Sequence, residues 1–367
     1  MTAGMRKTNI YLFCATDAGG VSVIAPLAHR SPAHDSVTVV TLEKYLPEFT
    51  GRGISARSFD EEVSFLKTAE GLLDSIRPTA VICGTTRYSS LDRWLIRVAQ
   101  ERGIRTVVVL DDWTNYRQRF QDGENHLMFL PDSIAVMDEL ARNDAIKEGI
   151  PDKILHISGH VALTEEASHT EEYYAKSLPP HLDFLKEKDP DTLRVTFLSE
   201  EIRANFHAGP HSKMGAPLGY DELTVLEDLQ SVFNEHGPRR TVLIEKLHPS
   251  SSRDEGTTNI TPWLTRISVK SAPLSSILWF SDVVIGIHSS ALLRAVALGK
   301  KTLSYQPGRY EETTAIRMNV CDLIQDRASL SEYLNTVSKN PSESRVRFEC
   351  IKNDVYENIL SLASSDS

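Results

Sequence analysis

The sequence predicts two doubly wound α/β domains, and three features carry that expectation. Short β-branched runs alternate with helical stripes along most of the chain, as in parallel sheets covered by helices on both faces. The alternation lapses in the polar stretch Thr164 to Pro190, which contains Pro179-Pro180, and restarts at Leu193. At 367 residues the chain has room for two domains of ordinary size. The expected division is a domain over 1–163, a linker region over 164–190, a second domain over 191–345, and a terminal helix over 346–367 that crosses back to the first.

Asn9 to Cys14 reads as the first strand and runs straight into Ala15-Thr16-Asp17-Ala18-Gly19-Gly20, before a helix from Val21. A strand, a glycine-rich turn and a helix let backbone approach a ligand closely. A plain tight turn explains Gly19-Gly20 as well, and the dinucleotide fingerprint G-x-G-x-x-G is lacking. Ser36–Leu42, Ala80–Cys83, Arg105–Leu110, Ser133–Met137 and Ile154–Ile157 read as further strands. Phe59–Ile76, Leu91–Arg102 and Asp138–Glu148 have helical spacing. The run Arg105 to Leu110 empties into Asp111-Asp112-Trp113-Thr114-Asn115-Tyr116-Arg117-Gln118-Arg119-Phe120. Acids, bases and aromatics directly after a buried strand stand where open α/β sheets keep their site residues. A solvated acidic turn is the competing reading.

In the second half, strands are expected at Leu193–Leu198, Thr241–Leu247, Ile267–Val269, Val283–Ile287 and Thr302–Tyr305. Helices are expected at Asp221–Glu235, Pro273–Trp279, Ser329–Val337 and Val346–Leu362. Glu200 to Gly219 reads as a loop rich in His, Gly and Pro. The most informative segment is Val283 to Ile287, then His288-Ser289-Ser290, then the stripe Ala291, Leu292, Ala295, Val296 and Leu298, closed by Gly299. A strand end that opens a helix offers N–H groups and two hydroxyls to a phosphate. An ordinary serine N-cap fits the same residues.

Composition narrows the function. The chain is 41% hydrophobic and 25% charged, with a net charge of −10, which argues against a general nucleic-acid binder. No apolar run nears the roughly 20 residues of a membrane span, so membrane contact is expected to be peripheral at most. Ile10 to Cys14 is too short for a signal peptide. Cys14, Cys83, Cys321 and Cys350 are scattered without metal spacing, which fits a reducing, cytoplasmic setting and no bound metal.

With these residues in view, the chain resembles the nucleotide-sugar-dependent transferases of GT-B architecture, most clearly between about residues 132 and 308. Met137-Asp138-Glu139, Gly149-Ile150-Pro151 and Ile157-Ser158-Gly159-His160 are similar to the segment ending their first domain. Gly219-Tyr220-Asp221-Glu222 and Lys246-Leu247-His248-Pro249 are similar to landmarks of their second. His248-Pro249 with Ser289-Ser290 resembles the pair in bacterial sialyltransferases, Kdo transferases and CDP-glycerol glycerophosphotransferases. The resemblance implies two Rossmann-like domains facing across a cleft, a sugar or polyol phosphate donor, and a hydroxyl acceptor. It favours a CMP- or CDP-linked donor over a UDP-linked one, because Arg294 stands where UDP-sugar users carry a ribose-binding Glu. It implies no metal.

In that reading Lys246, His248, Pro249, His288, Ser289 and Ser290, with Gly19 and Gly20, hold the donor. Asp17, Asp111 and Asp112 are candidates for the base that deprotonates the acceptor, and His248 offsets charge on the leaving phosphate. His248 and His288 also fit purely structural roles. Arg117 and Arg119 fit either an anion-binding fork or surface ion pairs. Two other readings stay open: a hydrolysing UDP-N-acetylglucosamine 2-epimerase-like enzyme, and a sugar-nucleotide-binding subunit without chemistry. The donor base, acceptor, stereochemistry and oligomeric state are not legible.

Overall fold

The computed structural model describes residues 8–59, 64–86, 90–187, 189–206, 218–235, 240–339 and 348–364. The chain forms two compact units, Met1–Glu165 with Glu349–Ser367, and Glu166–Phe348.

The first unit holds β1 (Ile10–Ala15), β2 (Ser36–Thr41), β3 (Ala56–Ser58), β4 (Ala80–Gly84), β5 (Arg105–Val109), β6 (Ser133–Val136) and β7 (Leu155–Ile157). All pair in parallel, in the order β3-β2-β1-β4-β5-β6-β7. β1 and β4 are buried nearly end to end, which is why they read as continuous apolar runs and not as alternation. The helix Val355–Ala363 sets Val355, Tyr356, Ile359, Leu360 and Ala363 into the core that contains Phe13, Ile24, Ile82 and Val107. Their spacing is one helical stripe. The end of the chain is therefore part of the first unit's core.

The second unit holds β8 (Thr192–Leu198), β9 (Arg240–Lys246), β10 (Gly256–Thr261), β11 (Leu264–Val269), β12 (Val283–Gly286), β13 (Lys301–Tyr305) and β14 (Asp322–Ile324). The order is β10-β11-β9-β8-β12-β13-β14, parallel except for the edge strand β10. Both sheets thus grow outward from one central strand and then turn back to its other side. The reversal falls between β1 and β4 in the first unit and between β8 and β12 in the second. Ligands of open α/β sheets sit at such switch points, beyond the carboxyl ends of the strands.

Several expectations are corrected. The stretch 164–190 is folded and not a bare linker: it forms helices Val161–Ser168 and Glu171–Ser177 and the 3₁₀ turns Pro180–Lys186. Tyr174, Leu178, Leu182 and Leu185 recur at helical spacing among polar residues and pack with Ile244, Ile267 and Ile277. The helix expected from Phe59 starts at Phe65, and β3 precedes it; residues 60–63 lie outside the described ones. The terminal helix starts at Val355, not Val346, and 340–347 are also outside the described residues. Most of the loop expected at Glu200 to Gly219, residues 207–217, lies outside them too. Among the described residues, no helix is long and apolar enough to cross a membrane.

Candidate functional site

In the first unit the residues after β1, β4 and β5 form a charged cluster. Asp17 caps the helix Ala18–His29, its carboxylate accepting from Gly20 N at 2.7 Å. Gly20 lies against Gly84 at the end of β4, so close that a Cβ on Gly84 would be 2.6 Å from the Gly20 Cα. A Cβ on Gly19 would fall 1.8 Å from Asp111 Oδ2. Close approach therefore requires glycine at 19 and at 84, whereas a Cβ on Gly20 would meet Asp17 Oδ1 at 3.1 Å, a tight contact but not a forbidden one.

Asp111 is held from two sides. Arg119, buried, donates to its Oδ1 at 2.7 Å and to Thr85 O at 2.6 Å. The His160 ring meets the Asp111 carbonyl through Nε2 at 3.1 Å and accepts from Leu163 N through Nδ1 at 3.4 Å. Those contacts place the ring hydrogen on Nε2. Arg119 is thus neither a surface pair nor a free fork, whereas Arg117 donates to Glu148 O and Asn125 O.

Asp112 accepts from Trp113 N at 2.6 Å. Burial raises its pKa, and Asp111 adds to the rise. Burial likewise raises Asp17, against the opposing pull of Gly20 N–H. Two half-buried carboxyls near an arginine and shifted toward neutrality have the properties of general bases. Trp113 is buried, its Nε1 donating to Asp138 at 2.8 Å, so the loop is anchored and the solvated-turn reading fails.

Sequence reasoning missed two residues beneath this cluster. Arg93 donates to the carbonyls of Thr86, Gln118 and Gln121 and so ties two loops together. Asp92 is fully buried, in contact with Ser90 and with Thr16 Oγ1 at 3.3 Å, and burial pushes it up to about 6.

In the second unit the switch point is filled by a residue that was also missed. Glu200, just after β8, accepts through one oxygen, Oε1, from the N–H groups of Ile287, His288 and Ser289 at 3.1, 2.7 and 2.9 Å. The donors are N–H groups of the strand-end turn and not of the helix or the serine hydroxyls, and the oxygen they meet belongs to the chain's own carboxylate. Burial raises Glu200 to about 7 against those three bonds. His288 Nε2 meets the Tyr220 hydroxyl at 3.1 Å, and burial lowers the pKa of its ring.

Ser289 and Ser290 prove unequal. Ser289 Oγ accepts from Ala291 N at 3.2 Å and so caps the helix Ala291–Ala297, while Ser290 is exposed and its side chain makes no cap bond. Lys246 Nζ donates to Lys270 O at 2.6 Å, and burial lowers its pKa. His248 and Pro249 are exposed after β9, with His248 Nδ1 2.7 Å from Ser250 Oγ. Arg294 lies 3.7 Å from Glu166. The structure thus groups Asp17, Gly19, Gly20 and Asp111 with neighbouring Asp112 in one unit, and His288 and Ser289 around Glu200 in the other.

No family model matches the chain, and no curated protein matches it in sequence. Solved structures do match. A UDP-GlcNAc 2-epimerase from Methanocaldococcus jannaschii superposes with a TM-score of 0.66 at 11% identity, covering 96% of this chain and 99% of the other. The UDP-GlcNAc 2-epimerase from Neisseria meningitidis bound to UDP-GlcNAc gives 0.64 at 10% identity, with coverage of 96% and 99%. The glycotransferase of kitacinnamycin gives 0.58 at 13% identity, with coverage of 98% and 94%. At these identities the likeness is one of fold, and with the two doubly wound sheets it makes the architecture GT-B-like.

Proposed function

We propose that this chain is an enzyme of nucleotide-activated sugars, transferring a sugar or polyol phosphate from the donor to a hydroxyl acceptor. The observation that carries the proposal is the turn after β12, where three consecutive N–H groups converge on one oxygen position at a topological switch point. Such a position suits a phosphate oxygen of the donor, with the Ser289 hydroxyl beside it and His248 two strands away, after β9. Asp112 is the proposed base for the acceptor hydroxyl, since burial and Asp111 shift it toward neutrality. Asp17 is its nearest substitute, and Arg119 fixes Asp111.

A second reading has its own support. Two of the similar structures are UDP-GlcNAc 2-epimerases and align nearly end to end. Epimerisation would use the same carboxyls to take a proton from sugar carbon instead of a hydroxyl. These structures also make uridine a strong rival to the cytidine donor suggested by His248-Pro249 and Ser289-Ser290.

A melting series with CMP, CDP, UDP and their sugars identifies the base. A true ligand at a hundredfold excess over its Kd stabilises the fold by about 2.7 kcal/mol. Incubation with UDP-N-acetylglucosamine in heavy water then separates the reactions. Deuterium at C2 of the sugar marks epimerisation, and nucleotide release that depends on an added acceptor marks transfer. Nucleotide binding without either product leaves a binding subunit.

A further inference from the structure

The three N–H groups at the second unit's switch point already have a partner within the chain. Ile287, His288 and Ser289 precede the helix Ala291–Ala297, so the site belongs to the strand-end turn and not to the helix. We propose that this turn is an exchangeable oxyanion site, and that Glu200 is its resident stand-in, displaced when phosphate oxygens of a ligand arrive. The ligand class rests on the nucleotide-sugar reading above; the exchange itself does not.

The surroundings hold Glu200 loosely for a half-buried carboxylate. Its other oxygen, Oε2, has His288 Nδ1 at 3.9 Å, beyond hydrogen-bond length, and burial disfavours the charged imidazole. Tyr220 and Glu222 face it from the segment that opens the helix Glu222–Glu235, and Glu222 repels it. Arg203, the nearest cation in sequence, is committed to Asp221 at 2.8 Å. Arg309 and Glu311 act on His288 with opposite signs. A carboxylate that has three backbone donors but, among the described residues, no close ion-pair partner is the kind that a more highly charged anion replaces. Protonation weakens its hold further, because a neutral carboxyl is a poorer acceptor.

Every anionic ligand of this site therefore has to evict Glu200. If the turn is free about a tenth of the time, the apparent affinity is about tenfold below the intrinsic one. Titration calorimetry on the full chain tests this with sodium sulfate and UDP-N-acetylglucosamine, neither of which changes charge between about pH 6 and about pH 8. Glu200→Ala and Glu200→Gln should bind both probes about tenfold tighter than the parent at about pH 8. The parent should gain affinity as the pH falls to about 6, and the variants should gain less.

Equal or weaker binding by both variants, with no pH trend in the parent, would overturn the proposal and leave Glu200 a fixed tie between β8 and β12. If the alanine variant fails to fold, the glutamine variant and the parent's pH trend decide. Sulfate that tightens while the nucleotide sugar binds none of the three proteins would uphold the exchange and reject the nucleotide reading. Nucleotide sugar that binds all three equally would do the reverse.

Discussion

In the first unit the switch point between β1 and β4 is closed by backbone, because Gly20 lies directly on Gly84. In the second unit the corresponding place, between β8 and β12, is closed by one carboxylate on three N–H groups. A backbone contact between glycines cannot be exchanged for a ligand, whereas a side chain on hydrogen bonds can. In the first unit the carboxyls Asp17, Asp111 and Asp112 instead cluster near Arg119. The second keeps an anion position at the centre. Under the proposed function, the contrast puts proton transfer in the first unit and phosphate binding in the second.

The largest effect expected from the contrast concerns Asp112. Asp112→Asn should lower kcat by about a hundredfold or more, because an amide cannot take the acceptor's proton. Its unfolding midpoint should hold or rise, since burial disfavours the charge that is removed. Steady-state rates beside melting curves check both, and an undiminished rate would move the base to Asp17.

Gly84→Ala probes the rigid closure. The added methyl meets backbone, and an overpacked site of this kind costs about 3 kcal/mol. Gly71→Ala, in the helix Phe65–Ile76 with open space around it, should instead stabilise by up to about 1 kcal/mol. Urea midpoints measure the difference, and equal midpoints would show that the first switch point can relax.

The pH dependence of stability tests the ground beneath that cluster. Burial raises Asp92 from its ordinary 3.8 to about 6, so the native state holds its proton longer than the unfolded chain. This contribution is complete below the unfolded value and is lost as the pH rises through about 6. The loss is worth at most about 3 kcal/mol. Asp92→Asn should flatten the stability curve over that window, as read from urea midpoints at a series of pH values. A parallel curve for the variant would place the Asp92 proton outside the folding balance.

Much of the fold was legible because both sheets are buried on two faces, and β-branched runs such as Arg105 to Leu110 advertise that directly. The strands that escaped are those without such a run. β10, Gly-Thr-Thr-Asn-Ile-Thr, is a largely exposed edge strand, and β3 and β14 have three residues each. In the first unit the cluster of Asp17, Asp111 and Asp112 was legible, since acids after buried strands stand out. Its support was not, because Arg93 and Asp92 sit in an ordinary helical stretch and are placed by tertiary contacts. Glu200 was hidden for a similar reason: a carboxylate next to Glu201 at a strand end reads as a solvated turn until Ile287, His288 and Ser289 are brought to it.

The smallest effect sharpens the second unit's side of the contrast. The sequence presents Ser289 and Ser290 as equivalent, each a cap or a phosphate donor. In the structure Ser289 Oγ accepts from Ala291 N, and its own hydrogen can still be donated to a ligand. Ser290 is exposed and caps nothing with its side chain. Ser289→Ala should therefore cost about 1 kcal/mol of stability, the usual loss of a capping hydroxyl. Ser290→Ala should stay within about 0.5 kcal/mol, as surface substitutions do. Nucleotide titration with the same two variants then asks which hydroxyl meets the ligand. A charged hydrogen bond is worth about 1.5–3 kcal/mol, so its removal weakens binding by roughly tenfold or more. A loss confined to Ser289→Ala would place the phosphate over the strand end, beside the three N–H groups. An equal loss in Ser290→Ala would move it outward along the helix, and the distinction between a rigid first switch point and an exchangeable second one would then rest on Glu200 alone.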